Sequence, residues 1–393
     1  MDGVASEAVN YSKIFRRLFP TKKEWDAVQI QMSKDLAHAP NEFASKCLFC
    51  GESLSGPDKS QSLCDSHSIP KHSLKAISDD GKLVSLKSLI SPINGLTDFE
   101  GVGQAGTFRL ICRRCDNLIF RDYEDFQNYT DDFVSRSGEN GCQKIFNEIA
   151  MKNYLYSIYQ QNMGIRMFKA LEPIVVKANN SLIGEMVRGN LEKEMNDKRD
   201  YERYYAETKR LSEKTLIRNY YVGFYRIIPW TVPVAFQDAL AVEISFDGTL
   251  INNVRDLRAK IQQLQLCIFP DKDRTILLAF SKQHANRLTP IYRYLNRLDD
   301  ESAVKAVIAL ALRYSANVYI STNIEDDSVK TDYMRELASD NGTTRMHFWP
   351  DDLIPEEKAA FWSNQQAQQI VSEHDTLRQY SSIPDVLVGI DNY

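Results

Sequence analysis

Four cysteines arranged as two Cys-x-x-Cys pairs, Cys47-Leu-Phe-Cys50 and Cys112-Arg-Arg-Cys115, have the spacing in this chain that most directly implies chemistry. Two intervening residues let a chain fold back so that both thiolates reach one ion at about 2.3 Å, and two such pairs complete a tetrahedral structural zinc site. Gly51, directly after the first pair, permits the positive φ that such a turn needs. The stretch between Cys50 and Cys112 is longer than in a compact zinc ribbon, so a substructure must be inserted between the two knuckles. It carries Ser66-His67-Ser68-Ile69-Pro70-Lys71. Cys64 lies three residues before His67 and reads as a packed strand cysteine rather than a spare ligand, because four thiolates already fill a structural site. Cys142 and Cys267 sit in apolar surroundings and read as buried small hydrophobes.

These residues need a scaffold, and 393 residues are enough for two or three domains. With 43% hydrophobic and 26% charged residues the chain is of globular composition. The longest apolar runs, such as Ala303 to Leu312, fall short of the ~18 residues of a membrane span and are interrupted by Lys305. Met1 to Asn10 has acids and no apolar run, so no secretory signal is expected, and the odd count of seven cysteines fits a reducing, cytoplasmic compartment. A net charge of −5 argues against nonspecific coating of nucleic acid without excluding a local basic face.

Periodicity predicts helix over residues 9 to 36, interrupted at Pro20, with Lys13, Arg16, Arg17, Lys22 and Lys23 as a solvated face or a phosphate-contacting arm. A short strand is expected within Ser62 to Ile69, ended by Pro70, and another within Thr107 to Ile111. Glycines and Pro92 break residues 81 to 106 into loops with one short strand. Cys115 to Phe133 reads as a helix with Leu118, Ile119, Tyr123, Phe126 and Phe133 inward. Cys142 to Leu171 is helical, and a second, heavily charged helix runs through Leu182 to Leu216, either as a dimer contact or as an arm packed on its own domain. Four β-rich runs follow: Val222 to Trp230, Leu240 to Phe246, Gln263 to Phe269 and Thr275 to Phe280. Helices are expected at Pro290 to Leu298, at Ala303 to Tyr314 and from Pro355 to Gln369, and a strand at Asn317 to Ser321. The class is therefore α+β, with an antiparallel sheet carrying helices on one face. The divisions are a helical segment at 1–43, the zinc module at 44–135, a helical region at 136–220 and an α+β domain at 221–393. No phosphate-cradling loop and no internal repeat is present, and nothing in the sequence gathers Ser281, His284, Asp238 and Glu243 into a hydrolase triad.

Taken together, Cys-x-x-Cys-Gly, then Ser-His-x-x-Pro-Lys, then Cys-x-x-Cys-Asp entering a helix resembles the HNH endonuclease superfamily. The likeness is to its zinc-bearing ββα-metal branch, over roughly residues 44 to 130. The resemblance implies that Cys47, Cys50, Cys112 and Cys115 hold a structural zinc. It also implies that His67 is the general base that polarises water for attack on a phosphodiester, and that a single magnesium or manganese ion sits nearby. Asp116 falls at one of the family's metal-ligand positions and is a hard oxygen ligand. The acid usual before the histidine is replaced here by Ser66, and the family's middle asparagine has only Asn94 as a candidate. Lys71, Arg113 and Arg114 are candidate phosphate contacts, the arginines being equally suited to balancing thiolate charge. His72 reads as a packing residue, and Tyr123 and Glu124 match the family's aromatic-acidic pair.

The expectation is therefore a metal-dependent endonuclease acting on nucleic acid, DNA foremost, in bacterial defence, with a homodimer as an option. The alternative is a catalytically inactive zinc-stabilised module that binds nucleic acid or protein after losing the acid at position 66.

Overall fold

The structure is a computed structural model and describes residues 42–54, 62–90, 99–177, 181–254, 259–338, 368 and 370–389. The helix expected over 9 to 36 with its basic residues, Asn94 and nearly all of the helix expected from Pro355 lie outside the described residues. The strands are β1 (Ser66–His67), β2 (Lys82–Ser85), β3 (Phe99–Gly101), β4 (Thr107–Phe108), β5 (Tyr220–Ile228), β6 (Val234–Leu240), β7 (Leu264–Pro270), β8 (Thr275–Lys282) and β9 (Val318–Ser321). The α-helices are α1 (Lys71–Ile77), α2 (Leu86–Ile90), α3 (Arg113–Ile119), α4 (Asn140–Lys177), α5 (Ser181–Ser212), α6 (Thr289–Leu295), α7 (Asp300–Tyr314), α8 (Asp326–Val329) and α9 (Asp332–Ala338).

Seven strands make one antiparallel sheet in the order β3-β2-β9-β6-β7-β8-β5. Its central strands are buried on both faces. On β7, Leu264, Leu266 and Ile268 join one core and Cys267 and Phe269 another; on β8, Leu277 and Ala279 join the first and Ile276, Leu278 and Phe280 the second. This is the period of two that a pleated strand imposes. The first core is closed by α2, α6, α7, α9 and the segment around Leu377 to Val388. Helix α7 is buried along Ala303 to Arg313. Its start is set by Asp299, whose side chain accepts from the Ser302 N–H at 2.7 Å, and by Asp300 and Glu301 in its first turn.

The second core lies under α4, α5 and the cysteine-bearing segment, so helices cover both faces of the sheet rather than the one expected. Helices α4 and α5 run antiparallel as a hairpin. Asn147 on α4 donates to the Thr208 carbonyl at 3.0 Å, and Tyr154 packs on Tyr204 with ring centroids 5.5 Å apart. The mixed charges of α5 form ion pairs such as Lys193–Asp197 at 2.7 Å, while Tyr205 turns into the core. Helix α5 thus packs on its own chain through α4.

Three other expectations shift. Strand β6 ends at Leu240, where a strand was expected to begin, because the chain then closes a tight turn in which the Ser245 N–H donates to the Thr249 carbonyl and Ile244 bridges Leu250. Residues 81 to 106 contribute two strands, and β2 pairs with β9 (Leu83↔Ser321, Val84↔Ile320), so the inserted segment extends the large sheet across residue 135. Helix α3 stops at Ile119, well before Phe133, and Leu118 is 69% exposed instead of inward. The stop has a cause: the Asp122 and Tyr123 N–H groups donate to Glu148 of α4 at 3.1 and 2.9 Å instead of to helical carbonyls.

Gly106 fastens the small β1–β4 ladder to the large sheet. Its N–H donates to the Tyr319 hydroxyl at 2.8 Å, its φ is +61°, and a Cβ there would lie 2.6 Å from Ser68 Oγ and 3.1 Å from Asn317 Oδ1. Replacing it with alanine adds left-handed strain to a steric overlap in a buried hydrogen-bonded cluster. Gly106→Ala is expected to destabilise the protein by about 2 kcal/mol or more, read as a lowered denaturant midpoint.

Candidate metal centre and the buried Lys152 site

The two knuckles close around a common point. Cys47 N–H donates to the Glu52 carbonyl at 2.8 Å and Gly51 N–H to the Cys47 carbonyl at 2.9 Å, with Gly51 at φ +77°, so the first knuckle is the tight turn its sequence demands. Cys112 caps the start of α3, and its N–H donates to the Cys47 sulfur at 3.3 Å, tying the second knuckle to the first. The ligand atoms of Cys47, Cys50, Cys112 and Cys115 all lie within 4.8 Å of one another. Cys50 Sγ and Cys112 Sγ are 3.9 Å apart, close to the ~3.8 Å edge of a tetrahedron with 2.3 Å metal–sulfur bonds. Burial pushes the Cys47 and Cys115 thiols up, while at Cys50 the weak burial is outweighed by hydrogen bonds from the Glu52 backbone and neighbouring thiols, which bring it to about 7. Four thiolates at this spacing repel one another unless a cation sits among them, so charge and geometry agree that the cluster could hold a metal such as zinc. Cys64 stays outside it, its thiol donating to the Ile111 carbonyl at 3.5 Å.

Strand β1 pairs with β4 (Ser66↔Phe108, His67↔Thr107), and α3 follows at once, so two short strands and a helix surround the cluster. Ser66 and His67 are neighbours on a strand and point to opposite faces. Ser66 is fully buried and donates to Asp116 Oδ1 at 2.5 Å. His67 Nε2 donates to the Val102 carbonyl at 2.8 Å, which fixes its proton there and leaves Nδ1 as its acceptor. Burial lowers the His67 pKa, and the charges of Lys71 and Lys152 add to that effect. Among the described hydrogen bonds none joins His67 to Asp116. The structure thus brings together Ser66 and Asp116, but turns His67 to a different partner.

The space beside Asp116 already contains a cation. Lys152 of α4, its side chain 1% exposed, donates to Asp116 Oδ1 at 2.8 Å and to Ser66 Oγ at 3.0 Å. Its ammonium also lies 3.8 Å from Glu124 Oε1 and 3.8 Å from the centroid of the Phe120 ring. Burial alone would disfavour the Asp116 carboxylate, but the Lys152 charge and the hydrogen bonds from Lys152 and Ser66 outweigh it and hold its pKa below the usual value. Two other residues of α4 grip the same segment. Glu148 accepts the backbone N–H groups of Asp122 and Tyr123, and Lys144 pairs with Asp122 at 2.6 Å. Lys144, Glu148 and Lys152 recur every four residues, so they form one polar stripe down a helix whose neighbouring face, with Ile145 and Ile149, is apolar. None of the three was picked out from the sequence. A charged residue recurring in register beside an apolar stripe was the available signal.

Lys71, Arg113 and Arg114 are all exposed, at the starts of α1 and α3. Arg114 hydrogen-bonds the Cys50 thiol, which favours charge balance over phosphate for that residue. The outward positions of α3 are Arg113, Arg114, Asn117 and Leu118, with Arg121 just beyond its end. His72 is half-buried against the Phe126 ring, with centroids 3.9 Å apart, and burial lowers its pKa to about 4, as befits a packing residue. Tyr123 is fully buried. Among the described residues, no helix is long and apolar enough to cross a membrane. Compared with known proteins, the chain matches no family model, no curated protein and no solved structure.

Loss of one partner in a buried ion pair typically costs about 3–5 kcal/mol, because the other charge is left uncompensated. Lys152→Met is therefore expected to destabilise the protein by about 3 kcal/mol, and Lys152→Met with Asp116→Asn by clearly less than the sum of the two single changes. Denaturant unfolding of the four proteins measures the coupling, and additive losses would mean that the pair contributes nothing jointly.

Proposed function

We propose that this chain is a zinc-stapled nucleic-acid-binding protein whose ββα-metal-like module engages its target without hydrolysing it. The observation that carries the reading is the buried Lys152 ammonium on Asp116 and Ser66. Hydrolysis in such a module needs a divalent ion on hard oxygen ligands to stabilise charge on the phosphate and the leaving oxygen. Here the one carboxylate at a ligand position is neutralised by a side chain that cannot exchange with solvent or reach a substrate. His67, hydrogen-bonded to Val102, serves in this reading to hold the loop after β3 against β1.

Binding falls to the outward face of α3. Arg113 and Asn117 present donors suited to phosphates and base edges, the exposed Leu118 offers an apolar contact, and Lys71 is exposed at the start of α1. Zinc at the four cysteines fixes that helix to the first knuckle. Such a surface binds chiefly through phosphate, so its affinity falls with salt.

The test is fluorescence anisotropy with labelled duplex and single-stranded DNA and RNA over a range of salt, beside a plasmid-cleavage assay in magnesium or manganese. The zinc-loaded protein is expected to bind at least one of these and to cut none. Replacing Arg113 or Lys71 with alanine is expected to lower the salt slope by about 1 for each phosphate that is no longer neutralised. Metal-dependent cutting that disappears in His67→Ala would overturn the non-hydrolytic reading in favour of an endonuclease. Absence of binding to any nucleic acid would overturn the choice of target.

A further inference from the structure

The site around Lys152 is built as a cation site rather than as a simple ion pair. Its oxygens come from three separate places in the chain: Ser66 on β1, Asp116 on α3 and Glu124 in the turn that follows α3. A hydroxyl and two carboxylates converging on one point are the ligand types preferred by small hard divalent cations. The cation they meet carries only one charge, so two carboxylates face a single ammonium. The Tyr123 hydroxyl is buried next to Glu124 and feels the charges of Glu124 and Asp116, so the surroundings of the ammonium are polar as well as enclosed.

We infer that Lys152 is a permanent internal counter-ion occupying a site otherwise fit for a divalent cation, and that it makes the module independent of such ions. Removing the side chain should uncover the site. This inference rests on the non-hydrolytic reading above, yet its test uses no nucleic acid, so the two can fail separately. An amine tethered to α4 does more than a soluble ion: it anchors the segment around α3 to the helix that packs on the sheet, which an exchangeable metal bound only by Ser66, Asp116 and Glu124 would not do.

The experiment titrates zinc-loaded full-length protein with Mn²⁺, following bound manganese by electron paramagnetic resonance and thermal stability in parallel. Lys152→Ala and Lys152→Ser, the second keeping a hydroxyl in the vacated space, are each expected to bind one Mn²⁺ at least about tenfold more tightly than the parent, since affinity for hard cations follows ligand charge and fit. Their melting temperatures should rise with Mn²⁺ while that of the parent stays unchanged, and adding Asp116→Asn should abolish the uptake. Folded variants with intact zinc that take up no Mn²⁺ would overturn the inference. So would parent protein that binds Mn²⁺ in a manner lost in Asp116→Asn. Failure of both variants to fold even with Mn²⁺ supplied during expression would overturn it too, because an ion that fits the site should replace the missing charge.

Discussion

An ammonium group with almost no access to water holds the cysteine-bearing segment to the rest of the protein. Lys152 projects from α4 into the angle between β1 and α3, where Ser66 and Asp116 supply its hydrogen bonds and Phe120 lies under it at 3.8 Å. Burying a lysine costs several kcal/mol unless its charge and hydrogen bonds are matched, so the arrangement persists only because those partners are already in place. That requirement fixes several things at once: the direction of α3, the side of β1 that faces inward, and the rotation of α4 about its axis.

The same helix faces two ways. Lys144, Glu148 and Lys152 grip α3 and the turn after it, while Asn153, one residue on, hydrogen-bonds Gln265 of β7 at 2.9 Å and accepts from Gln237 of β6 at 2.8 Å. Helix α4 is thus a rigid connection between the cysteine cluster and the large sheet. The cluster pins α3 to the first knuckle at its N-terminal end, and the lysine pins it to α4 one turn later. Between these two points the exposed face of α3 has little freedom, as the proposed binding role would require of side chains that are to be pre-positioned.

How much of this could be read from the sequence depends on distance along the chain. The cysteine knuckles, Gly51, helices α4 to α7 and the β7–β8 hairpin are local patterns, and their residues announce them. The pairing of β2 with β9 joins Leu83 to Ser321, and no local pattern of four residues specifies a partner so remote. The early end of α3 is likewise a tertiary effect, imposed by Glu148 taking two backbone donors that helical periodicity would assign elsewhere. At the candidate site, Ser66 and Asp116 could be picked out from their motif. Lys152 could not, because its role depends on packing α4 against α3, although an ionisable residue recurring beside Ile145 and Ile149 was a local irregularity that called for a partner. The presence of a hydroxyl at position 66 is also clearer in three dimensions: a carboxylate there would join Asp116 and Glu124 as a third acid around a single ammonium, whereas the Ser66 hydroxyl donates to Asp116 and accepts from Lys152.

The most direct test of this account is a crystal structure of the zinc-loaded protein soaked in manganese, with anomalous difference maps collected on either side of the manganese edge. The account predicts Lys152 Nζ between Ser66 and Asp116, no manganese signal at that point, and a zinc signal at the four cysteines. A manganese peak bound to Asp116, with the Lys152 side chain displaced, would contradict it.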